Sequence, residues 1–216
     1  MVVGADEAGK GPALGPMVAG AVRAAPADLP AGLDDSKQLS AARREELAAD
    51  LREHPEISVA TAVVPSERID APETDMNTLG VAAQAEAVAA VAVPGDDVVA
   101  DAADTDEARF GRRLTDAIAE SGLEVAVTAE HGADETHAIV SAASVIAKVE
   151  RDRRMAEIDA EYDREVGSGY PSDPTTTEFL AAYVDEHGEL PDCARATWAT
   201  CEDALASAEQ SGLSDF

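Results

Sequence analysis

The sequence predicts an α/β protein built on a mixed sheet, and three observations carry this. A short apolar run at residues 2–5 leads into two adjacent carboxylates, Asp6 and Glu7, and then into a loop. A second apolar run at residues 98–102 bears Asp101 and lies between helical stretches, the setting of a parallel, central strand. Residues 57–64 alternate as a half-buried strand does, whereas Ile139, Ala142, Ala143, Ile146 and Val149 recur at helical spacing.

The opening stretch organises the chain. Gly9, Gly11 and Gly15 with Pro12 and Pro16 exclude a helix after Glu7. Two charges at the end of a buried strand are costly unless a cation or metal compensates them. In a regular strand Asp6 and Glu7 point to opposite faces. For both to serve one site the pleat must break at Glu7, which Ala8-Gly9 permits. With Lys10 in the loop, the stretch points to a phosphorylated ligand. The glycine spacing is not that of a dinucleotide fingerprint, and no Gly-Lys-Ser/Thr ending marks a P-loop.

The remaining elements follow in order. Residues 16–24 form a second strand, hairpin-linked to the first. Ser40 is an N-cap for a helix that Pro55 stops near His54, with Leu47 and Leu51 as its apolar stripe. Arg43 and Arg44 in its first turn either face an anion or balance Glu45 and Glu46. Residues 57–64 are the third strand. A helix over 78–91 follows, where Asn77 either contacts a ligand or caps the helix. Residues 98–102 are the fourth strand, with Asp101 at the carboxyl end, where open α/β sheets bind ligands. Asp104, Asp106 and Glu107 read as solvated. A helix over 110–121 ends at Gly122, a C′ glycine, and residues 123–128 make the fifth strand. Asp134 precedes the long helix as a cap or a metal ligand, and in isolation the cap reading is favoured. Lys148, Arg151, Arg153 and Arg154 either face phosphate or pair with Glu150, Asp152 and Glu157. Tyr170 sits in a glycine-flanked loop, packed or offered to a sugar or base. Helices over 177–187, closed by Gly188, and 202–208 complete the chain.

Composition bounds the function. Forty-four acidic residues stand against 16 basic ones, a net charge of −28. At ordinary salt this repels nucleic acid. The aromatic-poor, lysine-poor, Asp-rich balance suits a salt-loaded cytoplasm, where screening shrinks to roughly 3 Å near 1 M. Nucleic acid is therefore not excluded. The only lysines are Lys10, Lys37 and Lys148, each inside a motif. A compact point charge is one reason for their survival, chance another. No apolar run is long enough to span a membrane and no signal peptide is visible, so a cytoplasmic protein is expected. Cys193 and Cys201 read as buried thiols, spaced to share a helix face.

The stretch from Asp6 to Pro16 resembles the first motif of the type 2 ribonucleases H (ribonuclease HII), D-E-A-G-[RK]-G-P-x-x-G-P. Five further blocks resemble the family in its order: Asp35-Ser36-Lys37, Met76-Asn77, the block from Asp134 through Ser141 to Asp152, Gly167 to Pro174, and Arg195 to Thr200. Arg195 to Thr200 is similar to R-x-S-W-x-T, with Thr197 for Ser and Ala199 for the usual Lys. Lys10 stands where most of the family has Arg. The resemblance, to the archaeal members above all, implies a ribonuclease H-like fold: a five-stranded mixed sheet flanked by helices, with a helical C-terminal appendage. The expected domains are residues 1–165 for catalysis, 166–208 for the substrate-binding appendage, and 209–216 as a flexible tail.

What the resemblance implies chemically is specific. Asp6, Glu7, Asp101 and Asp134 are the acids of the site. Oxygen ligands without a His/Cys set call for Mg²⁺ or Mn²⁺, as a two-ion site for phosphodiester hydrolysis. Substrates are RNA–DNA hybrids and DNA duplexes containing ribonucleotides. Gly9, Lys10 and Gly11 read the 2′-hydroxyl and Tyr170 the sugar, with Lys37, Asn77 and Lys148 as further contacts. A monomer is expected. At the terminus, Gln210, Leu213 and Phe216 resemble a sliding-clamp docking peptide, or else form a frayed end. A non-catalytic binding protein of the same fold is the competing reading.

Overall fold

A computed structural model of the chain describes residues 1–33 and 39–214. The elements run β1 (Val2–Ala8), β2 (Met17–Ala24), α1 (Ala41–Glu53), β3 (Ser58–Val64), α2 (Ser66–Ile69), α3 (Met76–Val91), β4 (Asp97–Asp101), α4 (Glu107–Ala119), β5 (Ala126–Glu130), α5 (Ala133–Thr136), α6 (Ala138–Asp159), α7 (Pro174–His187) and α8 (Ala199–Ser214). The five strands form one sheet in the order β3-β2-β1-β4-β5. β1 is antiparallel to β2 and parallel to β4, and β4 is parallel to β5. This is the mixed sheet the sequence predicts.

The chain divides into two compact units that interleave in sequence. The first comprises residues 1–8, 18–63 and 75–151 and holds the sheet. Its core joins Val22, Leu33, Leu47 and Leu51 to Ile139, Val140, Ala143 and Ile146. The helix α6 lies unusually close to the sheet. A Cβ on Gly4 would stand 2.1 Å from the Ile139 carbonyl oxygen, and one on Gly20 would stand 2.5 Å from that of Ala143. Glycine in the strands and alanine on the helix thus bring two backbones into contact. Gly4, Gly20 and Asp6 share that sheet face, since Gly20 pairs with Asp6 and Gly4 lies two residues from it.

The second unit comprises residues 9–17, 64–74 and 152–216. Its core gathers Ala13 and Leu14 with Met155, Val166, Phe179, Leu180, Val184, Cys193 and Cys201. Tyr162 meets Phe179 edge-on at 5.0 Å between centroids.

Caps explain most helix ends. Ser40 accepts from the Arg43 amide at the start of α1, as expected. Asp106 and Asp173 cap α4 and α7, and Gly188 closes α7 with φ 73°. Gly122, at φ 84°, follows α4. Several boundaries shift: α4 is Glu107–Ala119 rather than 110–121, and α7 begins at Pro174 rather than 177. The strand expected at 123–128 is Ala126–Glu130, and the last helix runs Ala199–Ser214 rather than over 202–208. Among the described residues no helix is long and apolar enough to cross a membrane.

Candidate active site

Asp6 is the fifth residue of β1 and is 5% exposed. One step past the last β1–β4 pair, Ala5 with Ala100, come Asp6 and Asp101. Parallel pairing at the centre of the sheet therefore sets two carboxylates at neighbouring strand ends. Burial pushes the Asp6 carboxyl well above its ordinary range, and the charges of Glu7 and Asp101 push it further. The Ser144 hydroxyl on α6 and the Glu7 amide, which donates to Asp6 Oδ1 at 2.7 Å, ease the charge in part.

The pleat does not break at Glu7. β1 stays paired with β2 through Ala8, so Glu7 takes the face opposite Asp6. There it meets α3. Gln84, fully buried, donates from Nε2 to Glu7 Oε2 at 2.6 Å and to the Asp101 carbonyl at 3.0 Å. One amide thus ties the second acid to the strand that bears the third. Gln84 escaped the sequence reading because α3 is apolar almost all round, which leaves no pattern to mark one buried polar residue.

Asp101 Oδ1 accepts from the Ala133 amide at 2.8 Å. That contact holds the segment containing Asp134 against β4. Asp134 is 6% exposed and lies in the first turn of α5, a separate one-turn helix. The cap position belongs to Gly132, with φ 65° and no side-chain bond. The cap role favoured for Asp134 therefore falls, because the chain turns once more before α6 begins.

Other expectations are revised in the same way. Asp104 is not solvated: it is buried and ion-paired with Arg109, whose guanidinium lowers its pKa to about 2. Asp75, not Asn77, caps α3, accepting from the Asn77 and Thr78 amides. Asn77 instead lines a cleft of about 520 Å³ with Asp75, Met76, Asp104, Arg109 and Arg113. Lys148 is half-buried on α6. Arg153 pairs with Glu157. The thiols of Cys193 and Cys201 are buried and pushed up to about 11 by that burial, but only Cys201 is helical. Lys37 and Phe216 lie outside the described residues.

In the second unit, Gly9 is buried with φ 84°, Lys10 is half-buried, and Gly11 is exposed. Gly11 has an ordinary φ, and nothing lies within 4 Å of where its Cβ would be. The fold does not ask for glycine there. Tyr170 is 38% exposed, on a loop knit by Ser168 and Asp173. Gln210 is exposed near the end of α8, whose backbone also includes Leu213.

Asp6, Glu7, Asp101 and Asp134 offer oxygen donors only, the chemistry of hard divalent cations. A cation would relieve the repulsion that disfavours charge on Asp6. The fit is one of donor type and electrostatics. Among the described residues no three Asp, Glu, His or Cys side chains stand together as ligands of one ion.

A mixed sheet in this order, flanked by helices and tipped with acids, defines an α/β nuclease of the ribonuclease H-like class. The family model for ribonuclease HII matches residues 3–201. A ribonuclease HII from Haloarcula marismortui is 62% identical over 216 residues, the whole of both chains. The PCNA:RNase HII complex from Archaeoglobus fulgidus contains a chain of TM-score 0.81 and 34% identity, with all of both chains covered. Bst-RNase HIII in complex with Mn²⁺ is similar at TM-score 0.75 and 25% identity, covering 97% of this chain and 70% of that one. The chain belongs to the ribonuclease HII family and is a hydrolase that acts as a nuclease.

Proposed function

We propose that this nuclease hydrolyses the RNA strand of RNA–DNA hybrids and cuts 5′ to ribonucleotides embedded in duplex DNA, by two-metal-ion hydrolysis that leaves 5′-phosphate and 3′-hydroxyl ends. The observation that carries the reading is the buried carboxylate of Asp6 beside the charges of Glu7 and Asp101. Groups whose charge is resisted by burial and like-charged neighbours mark functional sites.

Asp6, Glu7, Asp101 and Asp134 are the residues that would hold Mn²⁺ or Mg²⁺; no pleat break is needed, because Gln84 brings the Glu7 carboxylate to the Asp101 end of β4 from the other face and its charge still acts on Asp6. Bound ions of this kind supply an activated water and stabilise a leaving oxygen. The protein's part is to keep the acids aimed. Gln84 fixes Glu7 and the Ala133 amide fixes Asp101, so both carboxylates are held in place for a cation. The Mn²⁺ complex of Bst-RNase HIII supports the choice of ion.

Gly9, Lys10 and Gly11 sense the 2′-hydroxyl, the group that separates RNA from DNA. The open space around Gly11 supports this, since a bare backbone allows close approach. Tyr170 packs on a substrate sugar. Lys10, Lys37, Asn77 and Lys148 hold the backbone. Gln210, Leu213 and Phe216 dock on a sliding clamp, a reading supported by the PCNA complex of the Archaeoglobus relative.

The test is cleavage of a DNA duplex carrying one ribonucleotide, in molar KCl with Mn²⁺ or Mg²⁺, beside Asp101→Asn. Metal-dependent cutting 5′ to the ribonucleotide that disappears in the variant is the expected result. No cutting with either ion at any salt overturns the reading.

A further inference from the structure

Arg195 is the largest fully buried side chain described, at 0% exposure. Its guanidinium donates to three main-chain carbonyls. Nε bonds Gly15 at 3.0 Å, one terminal nitrogen bonds Lys10 at 3.0 Å, and the other bonds Gly9 at 2.6 Å. Its own amide donates to the Ala13 carbonyl at 2.8 Å. The Trp198 ring stands 5.3 Å from the guanidinium carbon. A single residue thus spans the whole glycine loop from Gly9 to Gly15.

The geometry has a direction. None of the described peptide bonds is cis, so each carbonyl and the amide across its peptide bond point opposite ways. Fixing the Gly9 carbonyl turns the Lys10 N–H away from Arg195, and fixing the Lys10 carbonyl does the same to the Gly11 N–H. Two consecutive donors are thereby aimed to the other side of the loop. The planar fork matters, because lysine cannot reach three carbonyls in fixed directions. The loop is also tied to Tyr170, since the Gly169 carbonyl accepts from the Ala13 amide at 2.8 Å and the Leu14 amide at 3.1 Å.

We propose that Arg195 is the positioning residue of the ribose-sensing loop: it holds the Gly9 and Lys10 carbonyls so that the Lys10 and Gly11 amides meet the substrate in register with Tyr170. This rests on the loop having the sensing role proposed above. Arg195 touches no substrate and acts through the peptide planes it fixes.

The experiment pairs hydrogen exchange with steady-state kinetics on wild type, Arg195→Lys and the milder Trp198→Leu, in molar KCl. In Arg195→Lys, peptides spanning 9–15 exchange faster while those of β4 do not change. On the single-ribonucleotide duplex kcat falls roughly 10–100-fold with KM within about threefold, as for a reacting group displaced by about an ångström. Trp198→Leu shifts both in the same direction by less, and stands alone if Arg195→Lys does not fold. Faster exchange everywhere would make Arg195 a pillar of the fold and overturn the proposal. So would a raised KM with kcat intact, or an unchanged loop. If wild type cuts no ribonucleotide substrate while 9–15 still loosens in the variant, the sensing role has failed and the clamp has not.

Discussion

Gln84 Nε2 and Glu7 Oε2 meet at 2.6 Å, a contact between the middle of α3 and the end of β1. The same nitrogen reaches the Asp101 carbonyl, while Gln84 Oε1 is buried without a hydrogen-bond partner. An amide kept at that cost is placed for something other than stability.

Gln84→Leu tests both roles at once. The swap keeps the volume and removes the unpaired oxygen, but it also strips the Glu7 carboxylate and the Asp101 carbonyl of their donor, so stability falls by roughly 1–3 kcal/mol. In the metal-holding role proposed above, Glu7 loses its orienting donor, and activity falls roughly 10–100-fold, the usual cost of removing a group that orients a metal ligand. Thermal melts and kcat on one preparation check both halves.

Two glycines should behave oppositely. Gly20→Ala drives a methyl into the α6 backbone and costs ~1–3 kcal/mol or more. Gly11→Ala meets open space at an ordinary φ and leaves stability within about 0.5 kcal/mol. It obstructs approach to the loop and lowers cleavage roughly 100-fold. Denaturant titration with a cleavage assay distinguishes the pair.

Asp6→Asn tests the electrostatics. The folded pKa of Asp6 is raised above its ordinary 3.8, so its contribution to stability is full at low pH and is lost as pH rises through the folded value. Without metal, the variant should therefore melt higher than wild type at pH 8, with the gap closing toward pH 4. It should also be inactive. Melting in chelator across that range gives the sign.

Asp104 has the opposite linkage. Arg109 lowers its pKa from 3.8 to about 2, so its stabilisation is present above pH 4 and is lost as pH falls toward 2. Asp104→Asn should be less stable than wild type at neutral pH and converge with it on acidification. Acid unfolding of the two proteins measures this.

The strands and three acids were legible because apolar runs and period-2 alternation report burial directly. Asp6 and Asp101 showed as charges where a strand should be dry. Asp134 was visible as a residue but not as part of α5, since four residues carry no period. Arg195 was invisible in its role. An arginine in a loop near a tryptophan reads as surface, and only the return of the chain to Gly9 makes it a core residue. Asp104 was misread for the same reason: its partner is five residues away, yet burial is decided by packing at longer range.

The bond from Arg195 to Gly9 joins residues 186 apart in the sequence. On the ribosome, the loop is therefore made first and fixed last. A chain stopped between Asp134 and Arg195 carries all four acids and every strand, yet its loop has no clamp. If the loop senses substrate as proposed, a chain ending before Arg195 would lack that contact and its loop would be free to shift.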